Sequence, residues 1–351
     1  MKTLPPIRAT LYALTDRGRT RDHNEDTFLV ADLGATDVIR ESRRSEHEIG
    51  DRGMLFLVAD GMGGAAAGEL ASEMAAVQIH RHMIETWSSA PIVTAEGFTA
   101  FLRESVERAN GELHAYAGTH PDVRGMGTTA TVAGIWGDRI YLAQIGDSRG
   151  YLIRGGTARQ LTRDQSLTQR LVEVGELTEE EAEASERRNI ILQALGPEPR
   201  VKVDLSSQAL QRGDILLICS DGLTSVARRE DIATVASDET DVQRICEHLV
   251  TLANERGGPD NITVVAVRFD GEGLPIEATE PPGYHEFATG PRPALQATAA
   301  FPSPTPAPKS ATVDPTAIAP AVARRGWPTG LVLLAIASGM ALIGLALWLS
   351  R

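Results

Sequence analysis

A short apolar run that ends in an acid is the feature that most limits how this chain can fold. Residues 53–69 read GMLFLVADGMGGAAAGE, and the apolar residues from Met54 to Val58 predict a buried strand. The run ends at Asp60, which is followed by a glycine-rich segment. A buried carboxylate without a partner is costly, so Asp60 must be solvated, paired or bound to a metal ion. On this stretch alone, a turn is the more common explanation of Asp-Gly.

Strand-like and helix-like stretches follow one another in blocks. Strands are predicted at 27–33 and 54–60, and two amphipathic helices at 68–87 and 94–117. A strand-rich run with hairpin-spaced turns covers 128–162, and further strands and a helix come after it. Because strict strand–helix alternation is missing, we expect an α+β fold with antiparallel sheets and helices outside them.

Composition narrows the function classes. Hydrophobic residues make up 42% of the chain, enough for a sizeable core, and the net charge of −13 argues against nucleic acid as a partner. Cys219 and Cys246 are too few for a disulfide framework and match no zinc pattern. We interpret them as buried small apolar residues, which suits a reducing cytosol.

The carboxyl-terminal part of the chain differs from the rest. Residues 271–329 contain 12 of the 19 prolines and are expected to form a disordered linker, which makes residues 1–270 the working domain. Residues 330–350 are apolar and uncharged, and a helix of this length spans a bilayer core, so they predict a transmembrane helix. A buried core helix is the alternative, but a soluble helix of this length normally carries a polar face.

The flanks of the apolar segment suggest an orientation. Two arginines precede it closely and one follows it, so the amino-terminal side is expected in the cytoplasm. We expect no secretory signal, because the first residues lack an apolar core. The sequence thus predicts a membrane protein with a single-pass C-terminal anchor and with the domain of residues 1–270 in the cytoplasm.

Further acids lie beside other predicted strands. Asp221 follows the run ILLICS as Asp60 follows its own strand, while Glu25 and Asp26 precede one strand and Asp260 precedes another. In an antiparallel sandwich these strand ends share a rim, where so many carboxylates need compensation. Mg²⁺ or Mn²⁺ fits such a group better than Zn²⁺, because its candidate ligands are carboxylates and not Cys or His side chains.

Each residue also has a simpler explanation. Asp26 or Asp260 alone is more commonly a cap or turn residue, and Glu25 alone a solvated side chain. Gly61 allows a close backbone approach, so its carbonyl is a candidate ligand as well. The joint pattern, rather than any single residue, favours a metal site.

Six motifs together resemble a known family. RDHNED, VADGMGG, GMGTTA, GDSR, SDGL and PDN occur in the order found in the metal-dependent Ser/Thr protein phosphatases, the PPM or type-2C family, and most resemble its bacterial branch. The resemblance covers roughly residues 8–269. Residues 161–196 are similar to the flap of that family, and within them Thr178 and Glu181 have the spacing of a capping box.

The resemblance implies a four-layer α-β-β-α sandwich with two metal ions and a third, weaker site. Asp60 would bridge two ions, and Asp147 with Asp221 would form the third site. Arg21 would bind the substrate phosphate, and with Asp60 it would be catalytic. The implied metal ligands are Glu25, Asp26, Asp60, Gly61, Asp147, Asp221 and Asp260.

The implied activity is hydrolysis of phosphoserine and phosphothreonine through a metal-bridging hydroxide that attacks phosphorus in line. Phosphorylated proteins would be the substrates, and a bacterial eukaryotic-like Ser/Thr kinase the expected opponent. The chain departs from the family pattern at two places. Met62 occupies the position where some family members have a His general acid. Thr224 and Ser225 stand where the family has a second acid, which leaves the ligands of the third metal site open.

Two other functions remain open. One is a catalytically silent phosphoprotein-binding module, a pseudophosphatase. The other is a phosphatase of the sporulation or stress-response type that acts on a small anti-sigma-antagonist protein. Acyl transfer is disfavoured, because no G-x-S-x-G elbow occurs.

Overall fold

The computed structural model describes residues 6–35, 37–185 and 187–288. Thirteen strands occur in these residues. In chain order they are β1 Arg8–Asp16, β2 Asp26–Asp32, β3 Val38–Ile39, β4 Ser45–Glu48, β5 Met54–Met62, β6 Gly127–Thr128, β7 Ala130–Trp136, β8 Arg139–Ile145, β9 Arg149–Arg154, β10 Thr157–Gln160, β11 Asp204–Ala209, β12 Ile215–Cys219 and β13 Ile262–Asp270.

Helices form the remaining regular structure of the described residues. They are α1 Ala65–Thr86, α2 Ala95–Thr119, α3 Leu167–Glu173, α4 Glu179–Ala184, α5 Asp221–Thr224, α6 Arg229–Asp238 and α7 Val242–Glu255, with a short 3₁₀ helix at Pro121–Val123. The predicted capping box is present at α4, where the Thr178 side chain accepts from the Glu181 backbone and the Glu181 side chain accepts from the Thr178 backbone.

The strands form two antiparallel sheets. The first has the order β10-β9-β12-β13-β1-β4, and the second has the order β11-β8-β7-β5-β2-β3, with β6 paired to β5. Side chains such as Phe56, Leu216 and Val265 fill one core cluster that draws on strands of both sheets. The α1 and α2 helices pack on the second sheet around Trp87 and Phe98, and α6 and α7 pack on the first. The predicted antiparallel sheets with helices are confirmed.

The opening apolar run becomes the strand β5, which is paired with β2 on one side and β7 on the other. One of its faces contacts the core between the sheets and the other contacts α1 and α2. A strand covered on both faces needs apolar side chains at every position, which explains a continuous run in an antiparallel sheet.

Residues 271–288 also pack against this fold. Glu280 forms an ion pair with Arg139 at 2.9 Å, and its carbonyl accepts a hydrogen bond from Arg154 at 3.0 Å. A β-bridge joins Ser206 of β11 to Glu286. These contacts with strands of both sheets hold the chain against the fold beyond the boundary that proline content placed at residue 270. We call residues 274–288 the C-terminal extension.

The expected membrane localisation needs a correction. None of the helices in the described part of the chain is both long and apolar enough to cross a membrane. The two longest, α1 and α2, carry acidic and basic side chains along their length. Residues 330–350, on which the anchor prediction depended, lie outside the described residues. The prediction of a membrane-anchored protein is therefore withdrawn.

Candidate functional site

The ends of four strands place the predicted acids. Asp26 begins β2 and Asp60 lies near the end of β5, and the two residues face each other directly in the antiparallel pair. Asp221 begins α5, separated by one residue from the end of β12, and Asp260 lies just before β13. Since β12 and β13 are antiparallel neighbours, their acids also share one rim.

A hydrogen bond joins the rims of the two sheets. The Ser220 hydroxyl donates to Asp26 Oδ2 at 2.7 Å, and the same hydroxyl oxygen accepts from the Thr263 backbone N–H at 3.0 Å. Ser220 directly precedes Asp221, so this bond fixes the end of β12 against the start of β2. The acids of both sheets are thus brought to one place.

The peptide at Gly61 leaves no room for a side chain. A Cβ atom there would lie 2.2 Å from the Gly68 carbonyl oxygen and 2.7 Å from that of Glu25. Gly68 has the same role toward Glu25, because a Cβ atom on Gly68 would lie 2.0 Å from Glu25 Oε2. These two glycines allow the backbone of β5, the start of α1 and the Glu25 carboxylate to meet.

Close packing of the acids changes their ionisation. Burial and the charges of Asp26, Asp221 and Asp147 raise the pKa of Asp60 well above its ordinary value. Burial raises the pKa of Asp26 to about 7, partly offset by hydrogen bonds to its carboxylate. The pKa of Asp221 is raised by burial and then by Asp260. Without a counter-charge, the site cannot ionise fully at neutral pH.

Asp147 belongs to the same charge cluster. It lies between β8 and β9, and burial followed by the charge of Asp221 raises its pKa to about 7. Arg149 offsets this in part, but its guanidinium is bound to Asp164 at 2.7 Å. Asp147 is therefore within electrostatic reach of Asp221, the residue with which the resemblance pairs it in a third metal site.

The site fits divalent cations. Asp26 Oδ1 and Asp221 Oδ1 are buried and have no hydrogen-bond partner, so each leaves an anionic oxygen for a cation. Within the described residues, no group of three or more acidic, His or Cys side chains is placed so that it could hold a metal ion by itself. Mg²⁺ and Mn²⁺ do not require such a group, because they bind through a few carboxylates and keep several waters.

Arg21 lies at the edge of the acid cluster. Its guanidinium donates to Asp260 Oδ2 at 2.7 Å, and its side chain is 52% exposed. The charges of Glu25 and Asp60 also favour its charged form and raise the pKa of Arg21, after the bond to Asp260. A half-exposed guanidinium beside the acids presents unused donors to solvent.

Two threonines that hold Asp60 were not singled out from the sequence. Thr129 Oγ1 accepts from the Asp60 backbone N–H at 3.0 Å, and the Thr129 N–H donates to the Asp60 carbonyl at 2.9 Å. Thr128 Oγ1 donates to the same carbonyl at 2.9 Å. Both lie in the motif GMGTTA, which was the available signal.

Asn261 is a further supporting residue that sequence reasoning missed. Its Oδ1 accepts from the Glu25 backbone N–H at 2.8 Å, and its Nδ2 donates to the carbonyls of Arg17 and His23 at 3.0 and 2.8 Å. It therefore fixes the loop that carries Arg21 and Glu25. It lies in the motif PDN, directly after Asp260.

Ser220→Ala tests how the acids are oriented. Loss of the donor to Asp26 is expected to raise the Mn²⁺ concentration needed for half-maximal activity about tenfold, as for other residues that orient metal ligands. The measurement is phosphatase rate against Mn²⁺ concentration. Ser105→Ala, which removes another buried hydroxyl bonded to the Leu102 carbonyl in α2, serves as the control and should leave this concentration unchanged. An unchanged Mn²⁺ requirement in Ser220→Ala would contradict the orienting role.

The comparisons with known proteins agree with this geometry. The family model described as protein phosphatase 2C matches residues 40–262. The serine/threonine phosphatase stp of Listeria monocytogenes is 38% identical over 257 residues, which cover 73% of this chain and 94% of the relative. The relative is thus matched over nearly its whole length.

Solved structures show the same similarity. The S. agalactiae serine/threonine phosphatase is 36% identical with a TM-score of 0.64, covering 74% of this chain and 98% of that one. The catalytic domain of the serine/threonine phosphatase PstP, solved in complex with two manganese ions, is 33% identical with a TM-score of 0.60, covering 75% and 99%. The chain therefore belongs to the protein phosphatase 2C family of Mn²⁺- or Mg²⁺-dependent serine/threonine protein phosphatases.

Proposed function

We propose that this protein hydrolyses phosphoserine and phosphothreonine in phosphorylated proteins at the rim where its two sheets meet. The observation that carries the proposal is the convergence of Asp26, Asp60 and Asp221, which share burial, raised pKa values and two unpartnered oxygens. Cations would let such a cluster ionise fully at neutral pH, and two cations supply what phosphate ester hydrolysis needs.

The residues present would hold these ions in a defined way. Asp60 interacts electrostatically with acids of both sheets and would be a central ligand of the ions, together with the Gly61 carbonyl. Asp147 and Asp221 would form a third, weaker site. The proposed metal-binding residues are Glu25, Asp26, Asp60, Gly61, Asp147, Asp221 and Asp260.

When bound, Mn²⁺ or Mg²⁺ would supply a hydroxide nucleophile near neutral pH and counter the charge of the phosphate dianion. Arg21 would leave Asp260 in part and bind the phosphate through its guanidinium fork. Thr128 and Thr129 hold the Asp60 backbone, so the Asp60 carboxylate needs little rearrangement during the reaction. Met62 has no proton to give to the leaving oxygen.

The limits of the domain are also proposed. The catalytic domain would occupy residues 1–270, with the C-terminal extension as its packed continuation. The proline-rich residues beyond the extension would form a linker. The contacts of Glu280 with Arg139 and Arg154 support placing the end of the packed domain near residue 288.

A kinase must create the substrates of this enzyme. Only protein phosphorylation on serine or threonine supplies the monoesters that the site would hydrolyse. We propose a eukaryotic-like Ser/Thr kinase of the same cell as the opposing enzyme. Mass spectrometry of phosphopeptides after deletion of the phosphatase tests this, because sites of such a kinase should gain phosphate and unrelated sites should not.

The activity itself is tested with the full chain, freed of metal by EDTA and dialysis. A phosphothreonine peptide should release phosphate with Mn²⁺ or Mg²⁺ and not with EDTA. If the peptide binds but is not hydrolysed under any of these conditions, the result would favour the silent phosphoprotein-binding module instead. The presence of all the family's metal-ligand positions named above disfavours that alternative.

Arg21→Ala is expected to lower kcat/KM for a phosphopeptide about 10- to 100-fold, because a half-exposed guanidinium contributes less than a buried one. Arg21→Lys should retain only part of the original kcat/KM, since lysine lacks the planar fork of the guanidinium. Arg17→Ala removes a neighbouring exposed arginine of the same loop and is the matched control. Equal kinetics of Arg21→Ala and Arg17→Ala would contradict the phosphate-binding role.

A further inference from the structure

A cavity of about 490 Å³ opens beside the candidate metal site. Asp147 and Asp221 line it, and so do side chains of β10, of α3 and of the loop between α5 and α6. Gly283 and Tyr284 of the C-terminal extension complete the described wall. A chain segment next to a phosphorylated residue in the site would therefore enter this cavity.

The cavity is basic on a chain that is strongly acidic. Its described lining contains six arginines and four acids, whereas the whole chain carries a net charge of −13. Asp147 and Asp221 belong to the candidate metal site, and Asp164 is bound to Arg149 at 2.7 Å. The remaining charged residues of the described lining are Arg159, Arg163, Arg188, Arg228, Arg229 and Glu179. Arg229 pairs with Glu230 at 2.8 Å and lies 3.7 Å from Glu179. Away from the metal ligands the described lining still has more arginines than acids, so the cavity has a local excess of positive charge.

The C-terminal extension positions one of these arginines. The ring of Tyr284 lies under the Arg163 guanidinium, 4.3 Å from its central carbon, and the Tyr284 hydroxyl donates to Asp204 Oδ1 at 3.0 Å. Arg163 also lies 3.6 Å from Glu173 of α3. Stacking on a ring leaves the edge donors of a guanidinium available, so Arg163 can still bind an anion.

Backbone hydrogen bonds fix this extension. The Ser207 N–H donates to the His285 carbonyl at 2.9 Å, and the Phe287 N–H donates to the Leu205 carbonyl at 2.8 Å. Tyr284 is thus held along the edge of β11. The match to the phosphatase 2C family ends at residue 262, so this wall lies outside the matched region.

We propose that the basic cavity binds acidic side chains that flank the phosphorylated residue of a substrate, with Tyr284 as a specificity-determining residue that positions Arg163. The inference rests on the proposed phosphatase function and adds the substrate class. Arginine forks bind carboxylates through paired charge-assisted hydrogen bonds, and a basic surface also steers acidic partners toward it.

The test compares two phosphothreonine peptides on the full chain with saturating Mn²⁺. They have equal length and differ only in Glu or Gln at positions within about three residues of the phosphothreonine, which an extended chain spans in roughly 10 Å. We expect kcat/KM about tenfold higher for the Glu peptide, a ratio that falls as salt is added. Because both peptides are measured with the same protein, a general loss of folding or catalysis affects both values of kcat/KM equally and cancels in their ratio.

Variants assign the preference to the cavity. The double variant Arg159→Ala/Arg163→Ala should bring the Glu-to-Gln ratio close to one. Tyr284→Ala should lower it about threefold, while Tyr284→Phe, which keeps the ring, should keep the ratio. Arg43→Ala removes an exposed arginine that pairs with Asp37 outside the cavity lining and is the control.

Three results would overturn the inference. The first is a Glu-to-Gln ratio near one in the unchanged protein, and the second is a ratio that is unchanged in the double arginine variant. The third is an equal loss of the ratio in Tyr284→Ala and Tyr284→Phe, because the Tyr284 ring would then not position Arg163. Failure of the proposed function has a different signature, since neither peptide would then be hydrolysed, and the inference would fall with it.

Discussion

Asp60→Asn and Asp221→Asn are each expected to lower kcat/KM by roughly 1,000-fold or more, equivalent to about 4 kcal/mol of barrier. Each change removes a carboxylate that would hold a cation. The same changes should stabilise the metal-free protein, because they remove one member of a cluster whose charges repel. For a domain of this size, each kcal/mol gained raises the melting temperature by about 2–4 °C.

Activity and melting temperature in EDTA together make this result specific. A variant that merely unfolds would lose activity and melt earlier, whereas a lost metal ligand loses activity and melts later. Asp32→Asn, at the opposite end of β2 from Asp26, is the matched control and should change neither quantity much. A lower melting temperature of metal-free Asp60→Asn would contradict the account of the cluster.

The metal-free protein is expected to lose stability as the pH rises from about 4 to about 7. Folding raises the pKa of Asp26 and of Asp147 to about 7, from an ordinary value of 3.8. Below pH 4 both carboxyls are protonated in the folded and unfolded states, so their ionisation does not lower the free energy of unfolding. Above it the unfolded chain loses these protons first, and unfolding becomes easier by about 1.4 kcal/mol per pH unit for each carboxyl.

Bound cations should reverse this trend. Metal ligands must be deprotonated, so Mn²⁺ affinity and the stability of the loaded protein rise with pH over the same range. Carboxyls with a lowered pKa, such as Asp231 beside Arg256, act only below about pH 4 and do not mask the effect. Urea unfolding at several pH values, with EDTA and with Mn²⁺, measures both slopes.

Asp26→Asn supplies the internal check on the pH dependence. This variant lacks one of the carboxyls with a raised pKa and should show a shallower decline in stability between pH 4 and 7 in EDTA. Equal slopes for the variant and the unchanged protein would mean that the acid cluster does not govern the metal-free stability. A metal-free stability that increases with pH would contradict the raised pKa values altogether.

The sequence predicted the elements that carry strong periodicity. The helices expected at 68–87 and 94–117 correspond to Ala65–Thr86 and Ala95–Thr119, and the strand expected at 54–60 extends to Met62. The strand is longer because β6 pairs with Gly61 and Met62, a long-range contact that local apolar patterns do not contain. The local sequence pattern therefore determines whether a segment is a helix or a strand, whereas tertiary pairing determines where the element ends.

The candidate acids were predictable because the ends of strands are visible in the sequence. The residues that hold these acids in place were not predictable. Ser220 and Asp26 are 194 residues apart in the chain, and nothing local to either residue indicates their bond. The extension was missed for a related reason. Its proline content suggested a linker, but Glu280 and Tyr284 have partners in distant strands.

The most direct measurement is the rate of phosphate release from a phosphothreonine peptide by the full chain as Mn²⁺ is added back after EDTA treatment. The account predicts a rate at background without metal, a saturable rise with Mn²⁺, and a return to background when EDTA is added again. A rate that is the same with and without Mn²⁺ would contradict the claim that the acids of the two sheets form a metal-dependent catalytic centre.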